Sequence, residues 1–158
     1  MSGGLVVRPG TPADAAALAR LRYRFRVELG TPNEADEAFV ARCSAWMESR
    51  LGPGSSWRCW LAVEGAEVAA VLWLGLVDKV PNPVDEPEQH AYITNVYVVP
   101  ERRDGGVGAL LMDEAMAFCR DQGIDTILLW PSAKSRSFYA RYGFAPSSDV
   151  MARRLRLS

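Results

Sequence analysis

The sequence has few of the residues that metal sites and disulfide frameworks require. Its 158 residues include one histidine, His90, and three cysteines, Cys43, Cys59 and Cys119. An odd number of cysteines with no CxxC spacing is typical of reduced, mostly buried thiols in a cytoplasmic protein. A single histidine leaves no HExxH segment and no Cys/His cluster, so we expect no metal site.

Long apolar runs and an excess of one charge are also missing. The longest apolar stretch, Val68–Val77, is far too short to span a bilayer, and the N-terminal residues lack the pattern of a signal peptide. Lysine and arginine together number 18 and the acids 19, a formal net charge of -1. Nucleic-acid-binding domains usually carry a basic excess, and only the arginine groups at 20–26 and 153–156 favour such a partner. We therefore expect a cytoplasmic protein that binds neither membranes nor nucleic acids.

The order of β-rich and helical segments predicts one α/β domain over residues 1–158. Thr11, Pro12 and Asp14 form a typical helix start, with a cap, a proline in the first turn and an acid. Helices are predicted from there to Gly30, at 34–51, between Gly106 and Gly123, and at 132–142. Strands are predicted at 5–7, 58–63, 67–77, 91–99, 125–130 and 150–157. This order indicates a mixed, mostly antiparallel twisted sheet of six to seven strands, with about four helices on both faces.

A glycine-rich turn between a predicted strand and a predicted helix carries the main chemical signal. Three of the four residues from Gly105 to Gly108 are glycine, which permits positive φ and lets a ligand approach the backbone. The first amide N–H groups of the helix lack partners and lie at the positive end of its dipole, so a diphosphate suits this place. Arg103 adds a positive charge beside it. No Lys-Ser/Thr pair follows, which excludes the Walker loop, and the third glycine of the Rossmann fingerprint is absent.

Two segments together resemble a known family. Val98–Leu111, reading VVPERRDGGVGALL, is similar to the acetyl-CoA motif of the GCN5-related N-acetyltransferase (GNAT) superfamily, whose core is Gln/Arg-x-x-Gly-x-Gly/Ala. Arg103, Gly106 and Gly108 occupy its three defining places. Ser132–Phe144, reading SAKSRSFYARYGF, resembles the closing Tyr-x-x-x-Gly-Phe helix of that superfamily. The opening segment and the order of elements match over essentially the whole chain, so the resemblance implies a GNAT-like fold.

The resemblance also implies how acetyl-CoA is bound. The pantetheine arm pairs, as an added strand would, with the strand that contains Val96, Tyr97 and Val98. The pyrophosphate is held by the backbone amides of Asp104, Gly105, Gly106, Val107, Gly108 and Ala109, beside Arg103. Ser132 stands where many members place an asparagine that contacts the CoA arm. A serine there also suits a helix N-cap, and both roles are open.

Tyr139 resembles the general acid of the superfamily. An amine that attacks the thioester expels a thiolate, and a phenol within hydrogen-bond reach protonates it. The general base is not assigned. Some members use a glutamate on the central strand, where this chain has Tyr92. Glu88, His90, Asn95 and a water relay are the alternatives.

The acceptor is an amine whose identity the sequence leaves open. In the superfamily the junction between the first two helices, here Gly30–Glu37, lines the acceptor site. The acidic loop Asp78–Glu88 either helps to bind a cationic amine or is a solvated connection. We expect an acetyl-CoA-dependent N-acetyltransferase that acts on a small-molecule amine or a peptide, with a homodimer possible. The alternative is a catalytically silent CoA-binding regulatory module.

Overall fold

The computed structural model describes residues 4–156, which form one five-stranded sheet and four α-helices. The strands are β1 (Val6–Pro9), β2 (Trp57–Glu64), β3 (Glu67–Asp78), β4 (Gln89–Val98) and β5 (Ile127–Leu128). The helices are α1 (Ala15–Leu29), α2 (Asp36–Arg50), α3 (Val107–Asp121) and α4 (Arg136–Ala140). The predicted fold class, a mixed sheet with helices, is confirmed.

The sheet keeps the order of the chain, β1-β2-β3-β4-β5, and is antiparallel through β4. β5 lies parallel to β4, and α3 makes the crossover between them. The strands predicted at 58–63 and 67–77 are β2 and β3, which form a hairpin joined at Glu64 and Glu67. β3 lies between β2 and β4, and its middle residues are buried.

Alternate residues of the central strands enter two separate cores. Val71 and Trp73 of β3 pack on one face with α1 and α2, whereas Leu72 and Leu74 pack on the other face with α3. Successive side chains of a strand point to opposite faces of the sheet, so both faces are apolar and helices pack on each of them, as predicted. No helix in the described part of the chain is long and apolar enough to cross a membrane.

The predicted strand at the C-terminal end was wrong. Residues 150–156 form neither a strand nor a helix, and Leu157 lies outside the described residues. Met151 is 95% exposed and Leu155 is 82% exposed. An alternating pattern forms a strand only where a sheet edge takes up its backbone and buries one face, and this tail reaches no such edge. The sheet therefore has five strands in the described residues, fewer than the six to seven predicted.

The predicted start of the first helix is confirmed. Thr11 caps a 3₁₀ turn over Pro12–Asp14 that continues directly into α1. A carboxylate oxygen of Asp14 accepts a hydrogen bond from the Thr11 backbone N–H at 2.8 Å. Arg8 of β1 donates two hydrogen bonds to the same carboxylate, both of 2.8 Å. The Arg8 guanidinium lowers the pKa of Asp14 to about 2, so this ion pair joins the first strand to the first helix.

Replacing Asp14 with asparagine is expected to reduce the free energy of unfolding at pH 7 by about 1–2 kcal/mol, after allowance for the solvent around Arg8. The folded pKa of about 2 lies below the ordinary value of 3.8. The ion pair therefore contributes its full stabilisation at pH values above the ordinary pKa of Asp14. This stabilisation is lost as the pH falls towards the folded pKa. Urea unfolding at pH 7 and at about pH 3 tests this, with the exposed Asp113→Asn as control. An equal difference between wild type and Asp14→Asn at both pH values contradicts the prediction.

Candidate active site

The edge of β4 that faces β5 is open over most of its length. β4 and β5 pair only at Ala91 with Ile127 and at Tyr92 with Leu128. Beyond Tyr92 the register between β4 and β3 shifts by one residue. Trp73 opposes Thr94, whereas Val71 opposes Tyr97. The additional residue on β4 is accommodated near Asn95, whose φ is 54°. A bulge of this kind bends a strand, and no strand of the described chain pairs with the outer edge of β4 from residue 93 onwards.

The predicted arm-binding segment lies on this part of β4. Tyr97 pairs with Val71 of β3 and is buried on the α1 side. The Val99 N–H donates to Ala69 of β3 at 2.9 Å, so by alternation the backbone of Val98 points to the open edge. There the Val98 carbonyl accepts a hydrogen bond of 2.9 Å from Nε of Arg103. Val96 and Val98 pack at the margin of the core under α3.

The glycine-rich turn presents a row of amide N–H groups without acceptors. Positive φ occurs at Asp104, 64°, and at Gly106, 80°, but not at Gly105 or Gly108. The first backbone bond from the turn is donated by Leu110 to the Gly106 carbonyl, at 3.2 Å. Within the described chain, no carbonyl or side chain accepts from the N–H groups of residues 104–109. These groups lie at the positive end of the α3 dipole, where an anion is stabilised.

Arg103 lies beside this turn, but its charge is shared. Its guanidinium donates a hydrogen bond of 2.8 Å to Glu28 of α1 and lies 5.5 Å from the centre of the Tyr97 ring. The Tyr97 hydroxyl donates to the other oxygen of Glu28. Burial, followed by this hydrogen bond to Glu28, raises the pKa of Tyr97 to about 12. Arg103 therefore connects the turn to α1 and β4 through hydrogen bonds, as well as adding positive charge.

Gly108 allows α3 and α4 to lie close together. A Cβ at this position would lie 3.3 Å from Cζ of Phe138 and 3.7 Å from a methyl group of Val98. The first distance is shorter than an ordinary van der Waals contact, so a larger residue would require the Phe138 ring to move by a few tenths of an ångström. The absent side chain therefore leaves room for Phe138 of α4 against the first turn of α3.

Tyr139 lies on the α3 side of the sheet, half-buried at the margin of that core. Its ring packs against Phe138 at 5.3 Å and against Phe144 at 5.9 Å between ring centres. In the described chain its hydroxyl has no hydrogen-bond partner. An ordinary tyrosine is protonated at neutral pH, as a proton donor must be, and burial raises the pKa of Tyr139 further.

The N-cap role predicted for Ser132 was wrong, because the helix is shorter than the predicted 132–142. α4 begins at Arg136, and the backbone carbonyl of Ser135 accepts from the N–H of Tyr139 at 3.1 Å. Ser135 is therefore the capping residue. Ser132 lies three residues earlier in an exposed turn, where its Oγ is 2.9 Å from Oγ of Ser135.

A cavity of about 380 Å³ lies on the opposite face of the sheet, between α1, α2 and β4. It is lined by aromatic rings, two arginines and a few small polar groups: Arg22, Phe39, Arg42, Cys43, Trp46, Met47, Trp57, Trp73, Thr94 and Asn95. The sequence indicated Arg22 only as part of an arginine group, so it did not predict this cavity. Only packing of α2 across β2 and β3 brings these residues together.

The candidate bases occupy different places. Asn95 lines the aromatic cavity, whereas Glu88 lines a second cavity and His90 lines neither. The ring of Tyr92 lies between Trp57, at 6.4 Å, and Trp130, at 5.2 Å. Tyr92 therefore forms part of an aromatic wall that runs from the end of β5 to the cavity.

The acidic loop is folded back on itself, away from the aromatic cavity. The Lys79 ammonium donates to the Pro87 carbonyl at 2.9 Å and lies 3.5 Å from a carboxylate oxygen of Glu86. The loop lines the second cavity, of about 490 Å³, together with Gln122 and Ile124 after α3. These internal contacts favour a solvated connection over a site for the acceptor.

The sequence profile of the Acetyltransferase (GNAT) family matches residues 18–144. This chain belongs to that family. Its acetyl-CoA motif and closing helix both lie within the matched residues, and acetyltransferases of the GNAT family use acetyl-CoA. No functionally curated protein matches its sequence.

Solved structures of the family share the fold over nearly the whole chain. A GCN5-related N-acetyltransferase from Ralstonia eutropha JMP134 is 28% identical with a TM-score of 0.79, over 96% of this chain and 99% of that one. A predicted acetyltransferase from Clostridium acetobutylicum, solved with acetyl-CoA, is 22% identical with a TM-score of 0.80, over 96% and 97%. Glucosamine-6-phosphate N-acetyltransferase from Arabidopsis thaliana is 18% identical with a TM-score of 0.70, over 97% and 99%. The GNAT-like fold expected from the sequence is thereby confirmed.

Proposed function

We propose that the chain transfers the acetyl group of acetyl-CoA to the primary amine of a small molecule. The observation that carries this proposal is the row of amide N–H groups without acceptors at the start of α3. It lies next to a strand edge that is open to an extended ligand. The backbone N–H groups of the turn suit a pyrophosphate, and the open edge of β4 suits the amides of a pantetheine arm. One ligand that contains both groups therefore satisfies both places. The backbone of residues 104–109 and the edge at Val96–Val98 are the proposed contacts, with Arg103 beside the phosphates and Ser132 near the arm.

The chemistry is a direct transfer. The lone pair of the amine attacks the thioester carbonyl carbon, the C–S bond breaks, and the thiolate leaves with its electron pair. Tyr139 donates its phenolic proton to that sulfur, and the acetylated nitrogen loses a proton to water. No covalent intermediate on the enzyme is needed, and the hydroxyl of Tyr139, which has no hydrogen-bond partner in the described chain, supports its role as the acid.

In this proposal, water accepts the proton that the ammonium group of the acceptor loses. Asn95 lines the aromatic cavity and lies on β4 where the open edge begins. An amide does not take up a proton at neutral pH, but it orients a water that does. Tyr92 stands where some members have a glutamate, and its ring packs in the aromatic wall.

A small molecule is favoured over a peptide by the size of the aromatic cavity, about 380 Å³, which is in the usual range for such ligands. Similar folds include a glucosamine-6-phosphate N-acetyltransferase and an aminoglycoside acetyltransferase from a soil metagenomic sample, both named for small-molecule acceptors. The three free cysteines support a cytoplasmic location. A homodimer stays a prediction.

Release of free CoA thiol from acetyl-CoA, measured with a panel of primary amines, tests the proposal. We expect amine-dependent release above the slow hydrolysis seen without acceptor, together with an acetylated amine detected by mass spectrometry. Calorimetric binding of acetyl-CoA with no amine-dependent release across the panel would instead support the silent CoA-binding module.

A further inference from the structure

The aromatic cavity between α1, α2 and β4 combines an apolar wall with positive charge. Rings of Phe39, Trp46, Trp57 and Trp73 line it, and both of its charged residues, Arg22 and Arg42, are arginines. No carboxylate lines it among the described residues. A site for a polycation usually contains acids, so this lining disfavours ligands whose only charges are positive.

Arg22 is the arginine whose charge is available to a ligand. Arg42 donates three hydrogen bonds to the carboxylate of Glu34, at 3.0, 3.1 and 3.3 Å. Arg22 is half-buried, and in the described chain its side chain makes one hydrogen bond, to the neutral Oδ1 of Asn95 at 3.3 Å, and lies 5.5 Å from the centre of the Phe25 ring. No carboxylate of that part lies within ion-pair distance of it. A partly desolvated guanidinium with donors to spare binds a carboxylate in a bidentate manner.

Trp73 adds a second donor without an acceptor in the same wall. The ring is 2% exposed, and within the described chain its indole N–H has no hydrogen-bond partner. A buried donor that lacks an acceptor is costly. A ligand acceptor atom that reached this N–H would remove that cost.

The cavity wall itself is built to hold a flat ring. Gly75 faces Trp57 across the β2–β3 ladder, and a Cβ at Gly75 would lie 3.1 Å from that indole. The missing side chain lets Trp57 lie against the strand, 5.4 Å from Trp46 and 6.1 Å from Trp73 between ring centres. Trp46 is nevertheless 40% exposed, although the Arg50 guanidinium lies 5.3 Å from its ring centre, so part of this cluster is accessible to a further apolar group.

The cavity also meets the place proposed for acetyl transfer. Thr94 and Asn95 line it, and both belong to β4 where the open edge starts, next to the segment proposed to pair with the pantetheine arm. A ligand in the cavity therefore has one end near β4 and its remainder among the rings and Arg22.

We infer that the acceptor is a small amine that also carries a carboxylate and an aromatic or other bulky apolar group, as in an aromatic α-amino acid. Arg22 binds the carboxylate, and the rings of α2, β2 and β3 hold the apolar group. The amine is left to face the open edge of β4. This assignment rests on the proposed function for the transfer step, but not for binding in the cavity.

Calorimetric binding of L-phenylalanine, phenethylamine and L-phenylalaninamide tests the assignment without reference to activity. We expect wild type to bind L-phenylalanine at least about tenfold more tightly than the two ligands that lack the carboxylate. Arg22→Gln removes that preference, whereas Arg20→Gln, an exposed arginine on the same helix, keeps it. Arg22→Lys, which retains the charge but not the planar fork, is expected to lie between the two.

Equal affinity of wild type for the three ligands would overturn the inference, and this comparison needs no variant to fold. An undiminished preference in folded Arg22→Gln would overturn it as well. Acetyl transfer to cationic amines but not to amino acids would refute the inference and leave the proposed function standing. Binding of L-phenylalanine that depends on Arg22, with no CoA release from any amine, would support the inference and refute the proposed function.

Discussion

Tyr139→Phe is expected to lower kcat by about 100-fold or more, the usual contribution of a positioned general acid. Removing the hydroxyl leaves the ring contacts with Phe138 and Phe144 in place, so the affinity for acetyl-CoA should change by less than about threefold. Burial raises the pKa of this phenol. Its protonation in the wild-type enzyme should therefore persist above the ordinary tyrosine pKa of about 10.

Tyr142→Phe is the matched control, because Tyr142 also packs on Phe138 and belongs to the same motif. Steady-state release of CoA thiol gives kcat for both variants, and calorimetry gives the affinity for acetyl-CoA. If Tyr139→Phe turns over at the wild-type rate, the leaving thiolate takes its proton from elsewhere. If both variants lose activity equally, the effect comes from packing of the closing segment and not from the phenol.

Gly105→Glu is expected to weaken acetyl-CoA binding at least tenfold. The residue has no positive φ, and a Cβ there would meet only the Arg102 carbonyl, at an ordinary 3.6 Å. The turn therefore accepts a side chain without strain. A carboxylate next to the amides of residues 104–109 competes for them and repels the pyrophosphate, and at short range each effect costs on the order of 1 kcal/mol.

Gly105→Gln separates charge from size, since it has the same shape without the negative charge. Calorimetry at low and high salt measures the difference. We expect Gly105→Gln to bind within about threefold of wild type, and the loss in Gly105→Glu to shrink as salt screens the repulsion. Equal weakening by both substitutions would show a steric effect, and no weakening by either would place the pyrophosphate elsewhere.

Local sequence patterns predicted most helices and strands, because the spacing of apolar residues that defines each element depends only on nearby residues. The apolar spacing in α1 and α3, the start at Thr11–Asp14, and the β2–β3 hairpin all match the structure. The pattern failed at the tail, where alternation alone cannot supply a sheet edge for Met151 and Leu155. It also failed at the boundary of α4, which begins four residues later than predicted because Ser135 is the cap.

The sequence by itself predicted the cofactor side of the proposed site. The turn of residues 103–108 and the closing segment with Tyr139 are continuous motifs, so their chemistry depends on neighbours along the chain, and they sufficed to identify the GNAT family. The tertiary structure decided the other side. Arg22, Trp46, Trp73 and Asn95 come from separate elements, and only the packing of α1 and α2 on the sheet gathers them in one cavity. Whether an arginine has a carboxylate partner and whether an indole N–H has an acceptor depend on that packing, because both contacts join residues distant in the chain.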